Sequence, residues 1–316
     1  MATSSGIRPL FPATGLPNTL LPCPPIDKAS SAFTKRICYY VHEYLLIPFS
    51  EWYMRHYDLP TEMCIFQLPF GLVLKRHGRV HEQEGQAMNL ARAMGIPAPR
   101  FISFGSYGDT TDTSKCNSLL MTRVPGYNLS WYDDDAIDWD IIKEDLVRII
   151  TRMRSFSSPF GNAICGAGGG PIRGPLVPWK PPRCADEADF RRHIDPSDHF
   201  PRLLATSRSE AERAVYAAKI PQVEAFLALP EHAVVFTHGD LVRHNIFVGE
   251  DGHISGIIDW EAGAWMPDYW EFSVTAPMPM GPWGQYMDKK VSGGVYAREI
   301  KGHQALFPFI ADGFSY

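Results

Sequence analysis

The chain has 316 residues, is 45% hydrophobic and 21% charged, and carries a formal net charge of −5. That length and composition allow about two packed domains, and the acidic balance argues against a nucleic-acid partner, which calls for a basic face. No uninterrupted apolar run approaches a membrane span, and no basic start followed by an apolar segment marks a secretory signal, so neither a membrane nor export is expected.

Residues 1–26 hold six prolines and little periodicity. They read as an N-terminal arm, disordered or lying across the surface. A helix is expected from about Lys28 to His56, with Ile37, Tyr40, Val41 and Tyr44 at helical spacing, its aromatics in the core, and Pro48 interrupting it. Residues 63–76 read as one or two buried strands broken at Pro69 and Phe70, the second running from Leu72 to Leu74 and ending at Lys75. Glu84 opens a helix whose Ala87, Met88, Ala91 and Met94 form one apolar face, stopped by Gly95 and Pro97. Ser118 to Leu129 is an apolar strand that ends at Pro125 and Gly126.

Asp138 to Phe156 reads as an amphipathic helix, with Trp139, Ile142, Leu146, Ile149, Ile150 and Met153 on one stripe. The acidic residues Asp133, Asp134, Asp135, Asp138 and Asp140 stand at its positive end as a solvated cap. Cys165 to Gly174 is dense in glycine, but Pro171 and Pro175 prevent the helix start that a phosphate cradle requires, so it reads as a flexible loop. Ser209 to Leu229 reads as a helix bent or split by Pro221. The six cysteines, Cys23, Cys38, Cys64, Cys116, Cys165 and Cys184, lack paired zinc-type spacing and point to reduced thiols in a cytoplasmic protein.

The most informative stretch is Thr237 to Glu261. Asp240 and Asn245 stand five residues apart, and Asp259 follows Asn245 by fourteen. The apolar run Ala233 to Phe236 leads into a sharp turn at Thr237, His238 and Gly239. After Asn245, a turn at GEDG and a second apolar run, Ile254 to Ile258, make a hairpin with Asn245 at one end and Asp259 at the other. Phosphoryl transfer needs an acceptor-orienting carboxylate, oxygen ligands for magnesium and a cation on the nucleotide phosphates. Asp240, Asn245, Asp259 and an upstream lysine match that requirement. Glu261 and Glu271 read either as satisfied carboxylates or as substrate contacts. The Met-, Pro-, Trp- and Tyr-rich segment beyond Glu271 is expected to pack the C-terminal half.

HGDLVRHN resembles the HGDxxxxN loop of the aminoglycoside phosphotransferase and choline kinase branch of the protein-kinase-like fold, and IIDWE is similar to that family's strand-borne IDW. GIIDWEAGAWMPDYWEF looks like the version found in many fungal members. The resemblance implies an α+β, two-lobed protein-kinase-like fold, with a small β-rich N-lobe over residues 27–124 and a larger, mainly helical C-lobe over 125–316. It implies Asp240 as the catalytic aspartate, Asn245 and Asp259 as metal ligands, and His238 as a structural hinge. VLK followed by EGQAMNLARAMGIPAPR resembles the small lobe. Lys75 would then hold the nucleotide phosphates and Glu84, in competition with Glu82, would orient it. Backbone groups around Met121 to Arg123 would receive the adenine. The implied cofactors are ATP and Mg2+, and the implied partner is a small molecule offering a hydroxyl group. One part departs from the pattern: upstream of Lys75 the only glycine in reach is Gly71, so the glycine-rich phosphate loop is missing. That departure leaves open a pseudokinase that binds a nucleotide or metabolite without phosphotransfer, beside a member of the fold redirected to other chemistry.

Overall fold

The computed structural model describes residues 19–108, 115–174, 181–207, 209–275 and 282–310. Most of the expected N-terminal arm, residues 1–18, lies outside the described residues.

Helix α1 (Ala32–Val41), a π-helical turn (His42–Leu46) and helix α2 (Ile47–His56) follow one another without a break. Ser31 caps the start, its hydroxyl accepting the Thr34 N–H at 3.1 Å, as an N-cap serine does. Pro48 directly follows the π-helical turn, and the helix runs on through it, so it does not interrupt the helix. Tyr39, His42, Ile47, Ser50 and Met54 face inward. Of the aromatics expected in the core, Tyr39 is buried, but Tyr40 and Tyr44 are exposed, as are Ile37 and Val41, which share their spacing. The helix presents one narrow face to the sheet, and these residues stand on the other.

Strands β1 (Ile65–Leu68) and β2 (Leu72–His77) form a hairpin closed by Pro69, Phe70 and Gly71. Phe70 and Gly71 both take positive φ, 61° and 67°. Helix α3 (Glu82–Ala93) and strands β3 (Phe101–Gly105) and β4 (Asn117–Thr122) complete a four-stranded antiparallel sheet of order β1-β2-β4-β3. Side chains alternate across the pleat. Leu74 and Leu120 join Ile47 and Leu68 under α2, while Val73, Leu119 and Met121 join the main core. Lys75, two residues beyond Val73, therefore points to the face that looks toward α3.

The C-terminal half continues with β5 (Tyr127–Asn128), α4 (Trp139–Arg154), β6 (Cys165–Gly166), α5 (Glu187–Ile194), α6 (Phe200–Thr206) and α7 (Glu210–Leu227). Strands β7 (Val234–Thr237), β8 (Ile246–Val248), β9 (Ile254–Ile257) and β10 (Ala264–Pro267) follow, then α8 (Trp270–Thr275), α9 (Pro282–Tyr286) and α10 (Ala297–Ile310). Asp138 caps α4, accepting N–H groups of Asp140 and Ile141, and the expected stripe from Ile142 to Met153 is buried. Helix α7 runs unbroken through Pro221. Beyond Glu271, Phe272, Trp283, Met287 and Tyr296 are buried, so the described part of that segment packs the lobe; residues 276–281 lie outside the described residues.

Far from being flexible, the start of the glycine-dense loop is built into the core. Cys165 and Gly166 pair with Trp265 and Ala264 of β10, and Cys165 and Ala167 are fully buried. A Cβ on Gly166 would stand 2.2 Å from the Gln83 side chain of α3. The glycines permit close approach of backbone to helix, a purpose that their density alone does not distinguish from mobility.

Candidate active site

Two short sheets, β6-β10-β7 and β5-β8-β9, hold the segment from Thr237 to Glu261. Strand β7 ends at Thr237, which pairs with Ala264 of β10. Gly239 then takes φ +78°, and a Cβ there would lie 2.8 Å from the Ala262 carbonyl, so only glycine fits the turn. Ile246 pairs with Ile257 across β8 and β9, and the Ile258 N–H donates to the Asn245 carbonyl at 2.9 Å. The hairpin thereby brings Asn245 and Asp259, distant in sequence, to the same end.

Asp259 has φ 61° and ψ 61°, a left-handed conformation that costs a non-glycine residue roughly 1–3 kcal/mol. Its Oδ1 accepts from Lys75 Nζ at 2.8 Å, and Lys75 also donates to Glu84 Oε1 at 3.0 Å. Glu261 stands 4.0 Å from the same ammonium. Of the two competing glutamates, Glu84 meets Lys75, whereas Glu82 turns away to pair with Lys35 at 2.7 Å. Burial alone would depress the Lys75 value, but the charges of Glu84 and Asp259 outweigh it and hold the amine protonated. Burial likewise raises Asp259, and the adjacent Lys75 more than reverses this.

Asp240 is buried, and Asn245 Nδ2 donates both to its carbonyl at 2.9 Å and to its Oδ2 at 3.1 Å. Burial, followed by the charge of Asp259, pushes the Asp240 carboxyl up to about 6. His238 is fully buried between two backbone groups. Its Nδ1 accepts the Asp240 N–H at 3.2 Å, so its Nε2–H donates to the Ile258 carbonyl at 2.9 Å. Burial holds this imidazole neutral, with a value near 4. His238 ties the two loops together.

Glu271 accepts the His238 N–H at 2.7 Å and the Gly239 N–H at 3.2 Å. It is a satisfied carboxylate that braces the loop, and burial lifts it to about 7. Trp260 stacks on Phe236 and sets its ring edge-on to His238 at 4.6 Å. The satisfied-carboxylate reading of Glu271 holds, whereas sequence spacing gave no sign of the Trp260 support, nor of Glu261 joining Glu84 and Asp259, whose carboxylate oxygens lie within 4.8 Å of one another. At the expected adenine hinge, Met121 is buried and Arg123 exposed. The Thr122 N–H already donates to the Arg100 carbonyl at 3.0 Å and the Arg123 N–H to the Gly71 carbonyl at 2.7 Å.

A thermostable mutant of aminoglycoside phosphotransferase APH(4)-Ia, in ternary complex with AMP-PNP and hygromycin B, is similar in structure at TM-score 0.56 and 13% identity, over 84% of this chain and 92% of the other. The GDP complex of aminoglycoside 2'-phosphotransferase-IIIa is similar at TM-score 0.50 and 11% identity, over 84% of this chain and 88% of the other. At such identities the likeness establishes the fold, α+β and two-lobed. No curated protein matches the sequence. The model of the phosphotransferase enzyme family matches residues 71–298, from the turn before Lys75 to the start of α10. Most of the chain is thus accounted for, and the protein belongs to the phosphotransferase enzyme family.

Proposed function

We propose that the protein is an ATP-dependent, magnesium-requiring kinase that transfers the γ-phosphate to a hydroxyl group of a small molecule. The observation that carries this reading is the charge imbalance around Lys75. One ammonium faces Glu84, Asp259 and Glu261, and burial, followed by the charges of Asp259 and Glu261, raises Asp240. Glu84 Oε2 is buried without a hydrogen-bond partner. Hard carboxylate and amide oxygens in excess over nearby cations suit a divalent ion such as magnesium, so the residues fit the implied metal. Asp259 and Asn245 would hold it, and when bound it would neutralise charge on the transferring phosphoryl group.

In this reading Asp240 orients the acceptor hydroxyl and takes its proton. A carboxyl near 6 is ionised at neutral pH and a better acceptor than an ordinary aspartate. Lys75, positioned by Glu84, holds the nucleotide phosphates. The boundaries that support this division are an N-lobe over residues 27–124 and a C-lobe over 125–316, with the adenine received between Met121 and Arg123.

One observation favours a second reading. The turn before Lys75 is three residues long and carries an exposed Phe70 in place of a glycine-rich phosphate loop, as in a pseudokinase that binds nucleotide without transfer. Thermal-shift titration with Mg-ATP, followed by ATP turnover across a panel of alcohols, separates the two. Stabilisation and turnover that Asp240→Asn reduces by about 10³-fold support the kinase. Stabilisation without turnover of any alcohol supports the binding protein, and no stabilisation removes both.

A further inference from the structure

Helices α1 and α2 expose a continuous apolar stripe, met at one edge by the Tyr107 ring against Tyr40. Phe33, Ile37, Tyr40 and Tyr44 recur at steps of four, three and four residues, one face of a helix. The next members, Phe49 and Trp52, follow at five and three. A step of five would rotate Phe49 off the face of a straight α-helix. The π-helical turn restores it: the Ile47 N–H donates to the His42 carbonyl five residues back, and the added residue brings both halves of the stripe into line. Rings along it stack on one another, Tyr40 with Tyr44 at 5.9 Å and Phe49 with Trp52 at 5.7 Å between centroids.

The size of the stripe is unusual. Phe33 is 75% exposed, Tyr44 64%, Leu45 63% and Trp52 54%. With roughly 150–250 Å² per aromatic side chain, the stripe leaves about 800 Å² of apolar surface, more than the roughly 300–600 Å² of the largest patch on a typical monomer. About 800 Å² per partner is also what a stable protein–protein interface buries.

We propose that this stripe is a homodimer interface, in which the helices from Ala32 to His56 of two copies pack antiparallel about a two-fold axis near Tyr44 and Leu45. A two-fold interface uses the same patch on both partners. An apolar stripe roughly 29 Å long is complementary to itself when reversed, and tyrosine and tryptophan are the residues that carry binding energy at such centres. A lipid surface fits less well, because membrane-surface helices line their polar face with lysine and arginine. Here the flanking charges are mixed and engaged: Lys35 pairs with Glu82, Arg36 lies over the Tyr107 ring, and Glu43 pairs with Arg76 at 2.8 Å.

Sedimentation velocity of the full chain over a concentration series, beside the Tyr44→Glu/Trp52→Glu variant, tests the proposal. The expected result is a dimer whose dissociation constant rises at least about a hundredfold in the variant, with the far-ultraviolet circular-dichroism spectrum unchanged because both residues are exposed. Should that variant misfold, Phe33→Ser/Trp52→Ser repeats the test with the same expectation. A monomer at every concentration overturns the proposal, in favour of lipid if the wild type cosediments with phosphatidylcholine vesicles and outright if it does not. A dimer that the substitutions leave intact overturns it as well.

Discussion

At the scale of single residues, the site rests on buried groups behind the loop that carries Asp240. Glu271 is the clearest: its two oxygens satisfy the His238 and Gly239 amides at the turn that aims Asp240. In Glu271→Gln one acceptor becomes an NH2 donor facing an N–H, and a buried donor without a partner costs about 1–3 kcal/mol. The variant is expected to lose about 2 kcal/mol in chemical denaturation and to turn over more slowly, with Mg-ATP binding kept. Unchanged stability would mean that the loop does not lean on this carboxylate. The sequence leaves Glu271 undecided because a bracing glutamate and a substrate-binding one have the same spacing. The sequence does expose Asp240, Asn245, Asp259 and Lys75 as a set, since residue type, turn glycines and flanking apolar runs all point one way. The left-handed backbone of Asp259 is invisible there, being imposed by the hairpin that ends at Ile257.

At the scale of elements, helix α3 lies in a cradle. Glu82, Gln86 and Asn89, one helical face, meet the extended segment before α1: Glu82 accepts the Ser30 N–H at 2.7 Å, Gln86 donates to the Asp27 carbonyl at 2.8 Å, and Asn89 donates to Asp27 Oδ2 at 2.6 Å. The same segment reaches the C-lobe, where Leu21 exchanges backbone hydrogen bonds with Ser155 and Ser157 at 2.8 and 2.9 Å. The opposite side of α3 presents Glu84 to Lys75. On the role proposed for Lys75, loosening the cradle should reach the nucleotide through it. Asp27→Ala/Glu82→Ala is expected to weaken Mg-ATP binding about tenfold, within the usual range of coupling between sites, and to have little further effect in a Glu84→Gln background. Additive losses in that cycle would show that the segment stabilises the lobe without acting on Glu84. Sequence reading missed this because residues 19–31 carry no periodic signal; hydrogen bonds from an extended chain leave none. It also placed the aromatics of α1 in the core, since a straight 3.6-residue period ignores the π-helical turn and says nothing about which face meets the sheet.

At the scale of the whole molecule, a polar cluster joins distant parts of the C-terminal half. Arg191 and Glu187 of α5 form a buried ion pair, Glu187 Oε2 accepts the His232 N–H, and the His232 ring reaches Glu187 at 3.2 Å and Glu299 of α10 at 3.4 Å. His232 leads into β7, and β7 leads into the Asp240 loop, so the cluster anchors the strand that presents the site. Burial would lower the His232 imidazole, but hydrogen bonds to Glu187 and Glu299 outweigh it and raise the group from 6.5 to about 9. A group whose folded value is raised stabilises the fold fully below its unfolded value, and that contribution fades as pH climbs through the folded value. The contribution of His232 is therefore complete below pH 6.5 and lost by about pH 9. On the acid side the sign reverses, because Glu187 and Glu299 are both lowered and lose their contribution as they protonate. Between pH 6.5 and 9.5 the melting temperature of the wild type should fall by about 5 °C more than that of His232→Gln, the two curves converging at the alkaline end. Parallel curves across this window would mean that the imidazole stays neutral and that the cluster holds β7 by hydrogen bonds alone.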